Sequence, residues 1–335
     1  MSEPASYPLL LALLATIVAI LFAASLLTGV SGIGVVEGIS ALFHPAPGEE
    51  AVALVMREIR LPRAILGLAT GLSLGLAGAV LQGYLRNPLA EPGLIGVSGA
   101  ASFGAVLAFY TGLAGWVPLA LPAMALAGAL IAVLLVFAIA GPKGGSLRVI
   151  LAGIAVSSLA GALVSLTLNL SPNPFAAYEI MFWLLGSLAD RSMDHVAIAA
   201  PFMVVGWGLL ALTARSLDAL TLGEGAAVSL GVRLRRVRLL AMVGTALAVG
   251  AATAVAGAIG FVGLVVPHLL RPLVGAQPSK LLPASALGGA ALLLAADLAV
   301  RLVAPDRDLK LGVITALIGA PFFVWLVLSD RRATE

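Results

Sequence analysis

Long apolar runs separated by short polar turns recur along the whole 335-residue chain. A helix needs about 20 such residues to cross a bilayer. Ten runs qualify, at residues 8–30, 64–85, 93–112, 116–140, 149–170, 196–214, 239–257, 259–271, 281–298 and 311–329. The eighth is short and contains Pro267, which predicts a broken or tilted helix buried by its neighbours. Residues 49–60 read as an interfacial stretch, and residues 174–189 as a short helix near the surface. The pattern predicts an all-α integral membrane protein, with about ten transmembrane helices in one bundle and a single domain over residues 1–335.

Composition agrees with this reading. The chain is 61% hydrophobic and 10% charged, where soluble domains carry about 25% charged residues. Its 38 glycines suit close helix packing. The absence of cysteine excludes disulfides, thiolate metal sites and cysteine nucleophiles. The first run follows Glu3 with no Lys or Arg and is long enough to span. It reads as a retained helix and not a signal peptide.

An even number of spans places both termini on one side. Twelve of the 19 basic residues then lie with the termini, including Arg86, Arg148, Arg215 and the run from Arg233 to Arg238. The rest, including Arg57, Arg60, Arg63, Arg191 and Arg301, lie opposite. The positive-inside rule puts both termini in the cytoplasm. The basic run reads as an anchor near anionic lipid and not as a nucleic-acid surface.

No central part of a span carries Asp, Glu, Lys or Arg, which disfavours an ion-coupled carrier. No nucleophile or acid–base pair is evident at membrane depth, which disfavours an intramembrane enzyme. The chain has no GxxxxGK[ST] phosphate loop, so an ATP-driven process would need a partner. The docking site for such a partner would be the longest cytoplasmic loop, residues 214–238. It breaks at Gly223-Glu224-Gly225 into two short helical stretches, either a knob for a partner's groove or a solvated loop.

On the other side Arg60 and Arg63 share a helix face and Arg301 follows the ninth span. They either meet carboxylates of a soluble partner or snorkel and pair with Glu58 or Asp297. Asn87-Pro88 and Glu91-Pro92 predict a structural turn, with Gln82 and Asn87 either holding freed backbone groups or facing a pore. Gly260 and Gly263, three apart before Pro267 and His268, permit close helix contact. His44 and His195 have no companions at ligand spacing, so no metal site is predicted. Asp190, Asp194 and His195 share an outer loop without a paired nucleophile.

Five segments in this order and spacing resemble the FecCD-type family, the permeases of ATP-binding-cassette importers for iron chelates, haem and vitamin B12. They are RLPR at 60–63, AGAVLQ followed by NPLAEPGLIGVSGA within 77–100, LGE at 222–224, GAIGFVGLVVPHLLR at 257–271 and LGVITALIGAPFFVWL at 311–326. The resemblance covers about residues 50–329. It implies the type II ABC importer permease fold in the bacterial inner membrane and two permease subunits, expected as a homodimer. Two cytoplasmic ATPases would bind ATP and magnesium, this chain binding no cofactor, and a periplasmic binding protein would deliver the substrate. It also implies that Arg60, Arg63 and Arg301 receive carboxylates of that binding protein. The family's coupling helices match residues 216–232, here Ser216, Leu217, Leu222, Gly223, Glu224, Ala227, Leu230 and Gly231. The fifth helix would line the path. The inner gate before it would involve Gly141, Lys143, Gly144 and Ser146, although GPKGGSL matches no fixed motif. Asn87, Pro88, Pro92, Gly260, Gly263 and Pro267 would serve turns and packing. The SPNPF and DRSMDH segments favour an iron chelate or haem over cobalamin.

Overall fold

A computed structural model describes residues 6–29, 32–43, 47–117, 119–141, 144–171, 174–303 and 309–334. Among these every regular element is helical. The first half runs α1 Ser6–Leu27, α2 Val35–Phe43, α3 Glu50–Leu54, α4 Leu61–Leu85, α5 Val97–Tyr110, α6 Leu113–Trp116, α7 Ala120–Ala140 and α8 Ser146–Asn169. The second runs α9 Pro174–Leu184, α10 Met193–Ala211, α11 Ala214–Leu220, α12 Glu224–Ser229, α13 Leu234–Ala256, α14 Val262–Leu270, α15 Pro278–Val303 and α16 Leu311–Thr334.

Seven helical stretches are long and apolar enough to cross a membrane, and three shorter apolar ones lie at Val97–Tyr110, Val262–Val274 and Leu311–Leu326. These correspond one to one with the ten predicted runs. The stretch at 49–60 departs from expectation. It is no separate interfacial segment: α3 passes through a π-helical turn, Val55–Arg60, straight into α4, giving one continuous helix from Glu50 to Leu85. Its charges mark the end of a long helix, where water or internal partners meet them. The short helix predicted near 174–189 is α9.

The bundle is held by backbone-to-backbone contact. Along α4 and α15, a Cβ on Gly71 would lie 2.5 Å from the Gly289 carbonyl and 2.6 Å from the Ala290 Cα. A Cβ on Gly75 would collide with the Ser285 carbonyl. Lipid gives apolar helices no reason to associate, so such close approach is the main attraction available. After α9, Gly186 takes φ +75°. This turns residues 185–187 so that the Ser187 amide bonds to the Ala256 carbonyl while the Leu311 and Gly312 amides bond to Gly186 and Leu185 carbonyls. The end of α13 and the start of α16 are thereby tied to one turn.

Candidate functional site: an arginine cluster and a helical knob at opposite ends of the bundle

At one end, three arginines from two helices converge on a buried carboxylate and on the last turn of α1. Asp297, on α15, is 1% exposed. Arg63 grips it bidentately, with Nε 3.0 and 3.1 Å from Oδ1 and Oδ2 and Nη2 2.8 Å from Oδ1. Arg301, one helical turn further along α15, reaches Oδ2 at 2.9 Å. Arg301 also donates to the Ser25 and Thr28 carbonyls and to the Ser25 hydroxyl. Arg60, 5% exposed, donates to the Leu26 and Leu27 carbonyls at 3.0 and 3.1 Å.

The last four carbonyls of a helix have no partner within it. In α1, Ala24 is satisfied by the Thr28 amide, Ser25 by Arg301, and Leu26 and Leu27 by Arg60. Cations at this terminus also oppose the helix dipole. The arginines thus cap α1 and neutralise Asp297, the pairing that the sequence offered beside the partner-binding reading. Arg63 and Arg301 thus share Asp297, while Arg60 serves the end of α1.

At the other end, α11 and α12 form a compact knob. Gly223, at φ +102°, lets the chain reverse before Glu224 opens α12. Gly231, at φ +86°, closes it: its amide bonds to Val228 and the Val232 amide to Ala227, a Schellman ending. The predicted knob residues divide by exposure. Leu217 and Ala227 are buried and fasten the knob to the bundle. Leu222 (68% exposed) and Leu230 (65%) stand out with Glu224, and so does Val228, which was not among the predicted residues.

Beside the knob, Arg238 in the first turns of α13 is buried and donates to the Gly141 and Gly144 carbonyls, each at 2.9 Å. Its guanidinium also lies 5.4 Å from the Phe137 ring centroid. It therefore pins the end of α7 and the approach to α8, where Ser146 begins the helix. Sequence reasoning treated Arg238 only as part of a basic anchor. Lys143, the fourth residue predicted here, lies outside the described residues, as does His44.

Between the two ends, Pro267 lacks an N–H, so the Gly263 carbonyl loses its helical donor. The Gln82 amide replaces it, donating to Gly263 and Leu264 carbonyls at 3.2 and 3.3 Å, while its Oε1 accepts from Arg271 at 2.6 Å. Of the two roles left open for Gln82, the structure shows the backbone one. Asn87 accepts from the Leu89 amide, forming the turn that carries Pro88. The following segment is more than a surface turn. Pro92 is buried, Gly263 would meet it, and the Glu91 carboxylate accepts from the Phe261 amide just before α14, close to Gly260. His195 pairs with Ser192 in a capping box at the start of α10, and His268 packs edge-on against Phe322. No metal-binding group of His and carboxylates occurs among the described residues.

Ten apolar helical stretches among the described residues, with a charged cluster at one end and a helical knob at the other, define an all-helical membrane protein. The chain belongs to the FecCD transport family, whose profile matches residues 17–329. It is 44% identical over 278 residues to the vitamin B12 import system permease protein BtuC of Vibrio cholerae, covering 82% of each chain. It is 37% identical over 293 residues to the hemin transport system permease protein HmuU of Yersinia pestis, covering 84% of this chain and 86% of that one. A solved structure of a metal-chelate type ABC transporter in an inward-facing conformation superposes with a TM-score of 0.84. It is 33% identical, and the match covers 96% of this chain and 99% of that one.

Proposed function

We propose that this chain is the permease subunit of a binding-protein-dependent ABC importer for a bulky metal chelate, cobalamin or haem. The observation that carries the reading is the pairing of an exposed aliphatic knob at one end with a cluster of three arginines at the other. The knob, Leu222, Glu224, Val228 and Leu230, would sit in a groove of a cytoplasmic ATPase. Arg60, Arg63 and Arg301 would receive carboxylates of an external binding protein, both termini then lying in the cytoplasm. Exposed aliphatic residues along α8, among them Leu147, Leu151, Leu159 and Leu166, would be covered by a second copy or line the path between the two. The 44% identity to a vitamin B12 import permease supports keeping cobalamin beside haem, despite the SPNPF and DRSMDH segments.

ATP binding can drive such a carrier only by favouring one of its conformations over the other. The knob is where that preference would enter the permease. An ion-coupled carrier is the weaker reading, since Asp297 is committed to two arginines and Glu91 to a backbone amide. The test is co-purification of the tagged chain with an ATPase, comparing wild type with the double variant Leu222→Asp, Leu230→Asp. Retention of the ATPase by wild type and its loss from the variant supports the reading. Equal retention by both removes the knob from it.

A further inference from the structure

We infer that Asp218 is a positioning residue that connects the α11–α12 knob to the arginine cluster at the far end of the bundle, with α15 as the connecting element. The inference rests on the importer reading and specifies a route within it.

Asp218 lies on α11 and is half-buried. Its Oδ1 accepts from the Ser279 amide at 2.8 Å, and Oδ2 from the Gln277 side chain at 3.5 Å. Ser279 is in the first turn of α15; the next two amides, Lys280 and Leu281, bond to the Gln277 carbonyl, and the Ser279 amide is met by Asp218. Pro278 before it contributes no amide. A carboxylate here both satisfies a donor and meets the positive end of the helix dipole. Residue for residue, α15 is thus capped by the knob.

Two further contacts make α15 and α4 a single body. Leu217, adjacent to Asp218, packs against Gly83 near the end of α4. The Gly71, Gly75 and Gly289 contacts set backbone on backbone, so neither helix can rotate against the other without collision. At the far end the same two helices are fastened by the Arg63–Asp297–Arg301 bridge. The helix pair is therefore pinned to the knob at one end and to the arginines at the other. Movement of the knob reaches α15 through Asp218 first.

The test uses proteoliposomes containing this chain, its ATPase and its binding protein. The readout is the ratio of ATP hydrolysis with and without binding protein, together with hydrogen exchange at the amides of residues 279–281. Asp218→Ala is expected to raise exchange there and to lower the ratio by about threefold or more. Asp218→Asn keeps an acceptor for Ser279 and should recover most of the wild-type ratio, at unchanged thermal stability. An unchanged ratio in Asp218→Ala overturns the inference, as does unchanged exchange at residues 279–281. A wild-type ratio of unity would instead remove the importer reading and the inference with it.

Discussion

Asp297 is a carboxylate that this bundle cannot leave alone. Removing one partner of a buried ion pair typically costs about 3–5 kcal/mol because the other charge stays buried. Asp297→Ala strands Arg63 and Arg301 and loosens the cap on α1, so thermal unfolding in detergent should show a loss in that range. Asp297→Asn, which keeps the shape and one acceptor, should lose less. Gln82→Leu presents a smaller problem of the same kind. It leaves the Gly263 and Leu264 carbonyls and the Arg271 guanidinium short of a partner, at about 1–3 kcal/mol. A stability unchanged from wild type would mean that another group or water takes over. Sequence alone showed part of this. Arg301 and Asp297 are one helical turn apart and their pairing was readable. Arg63 is 234 positions from Asp297, so the sequence could offer that pairing only as one of two alternatives. The contacts of Arg238 to Gly141 and Gly144 cross more than ninety residues and were not legible.

Elements were more legible than contacts, because a membrane leaves the backbone few alternatives. Each polar backbone group must be satisfied within the helix, so a run of apolar residues fixes both element and length. The misreading at 49–60 has a physical origin. Glu49, Glu50, Arg57, Glu58 and Arg60 lower the hydropathy of a segment that remains helical and extends α4. The shortness of α14 was legible from Pro267 and its preceding glycines. The donor that replaces the lost bond was not. The glycines of α4 and α15 carry the sharpest element-level prediction. Gly75→Leu forces a side chain into the Ser285 backbone and should destabilise by about 1–3 kcal/mol or prevent folding. Gly225→Ala, on the exposed knob with open space around it, should be neutral or stabilise by up to about 1 kcal/mol. Denaturation of the two variants side by side checks this, and equal behaviour would deny the close helix contact.

For the whole molecule, the two ends pose different experiments. Charge reversal of Arg60 together with Arg63 should weaken binding-protein docking, but it also removes the donors to the Leu26 and Leu27 carbonyls and leaves Asp297 with Arg301 alone. Docking must therefore be compared at equal stability, and unchanged docking would confine the cluster to its structural role. A Glu224 substitution should lower transport per ATP hydrolysed while the bundle stays intact, since that side chain is exposed. The architecture and the location of both ends were readable from motif order. The cargo was not, because no motif reports on it and the exposed residues along α8 are largely aliphatic. The most direct measurement is uptake of labelled cobalamin and labelled haem into proteoliposomes containing the purified complex, with ATP or with an ion gradient alone. The account predicts accumulation of one of them that requires both ATP and the binding protein. Accumulation driven by the ion gradient without ATP would contradict it.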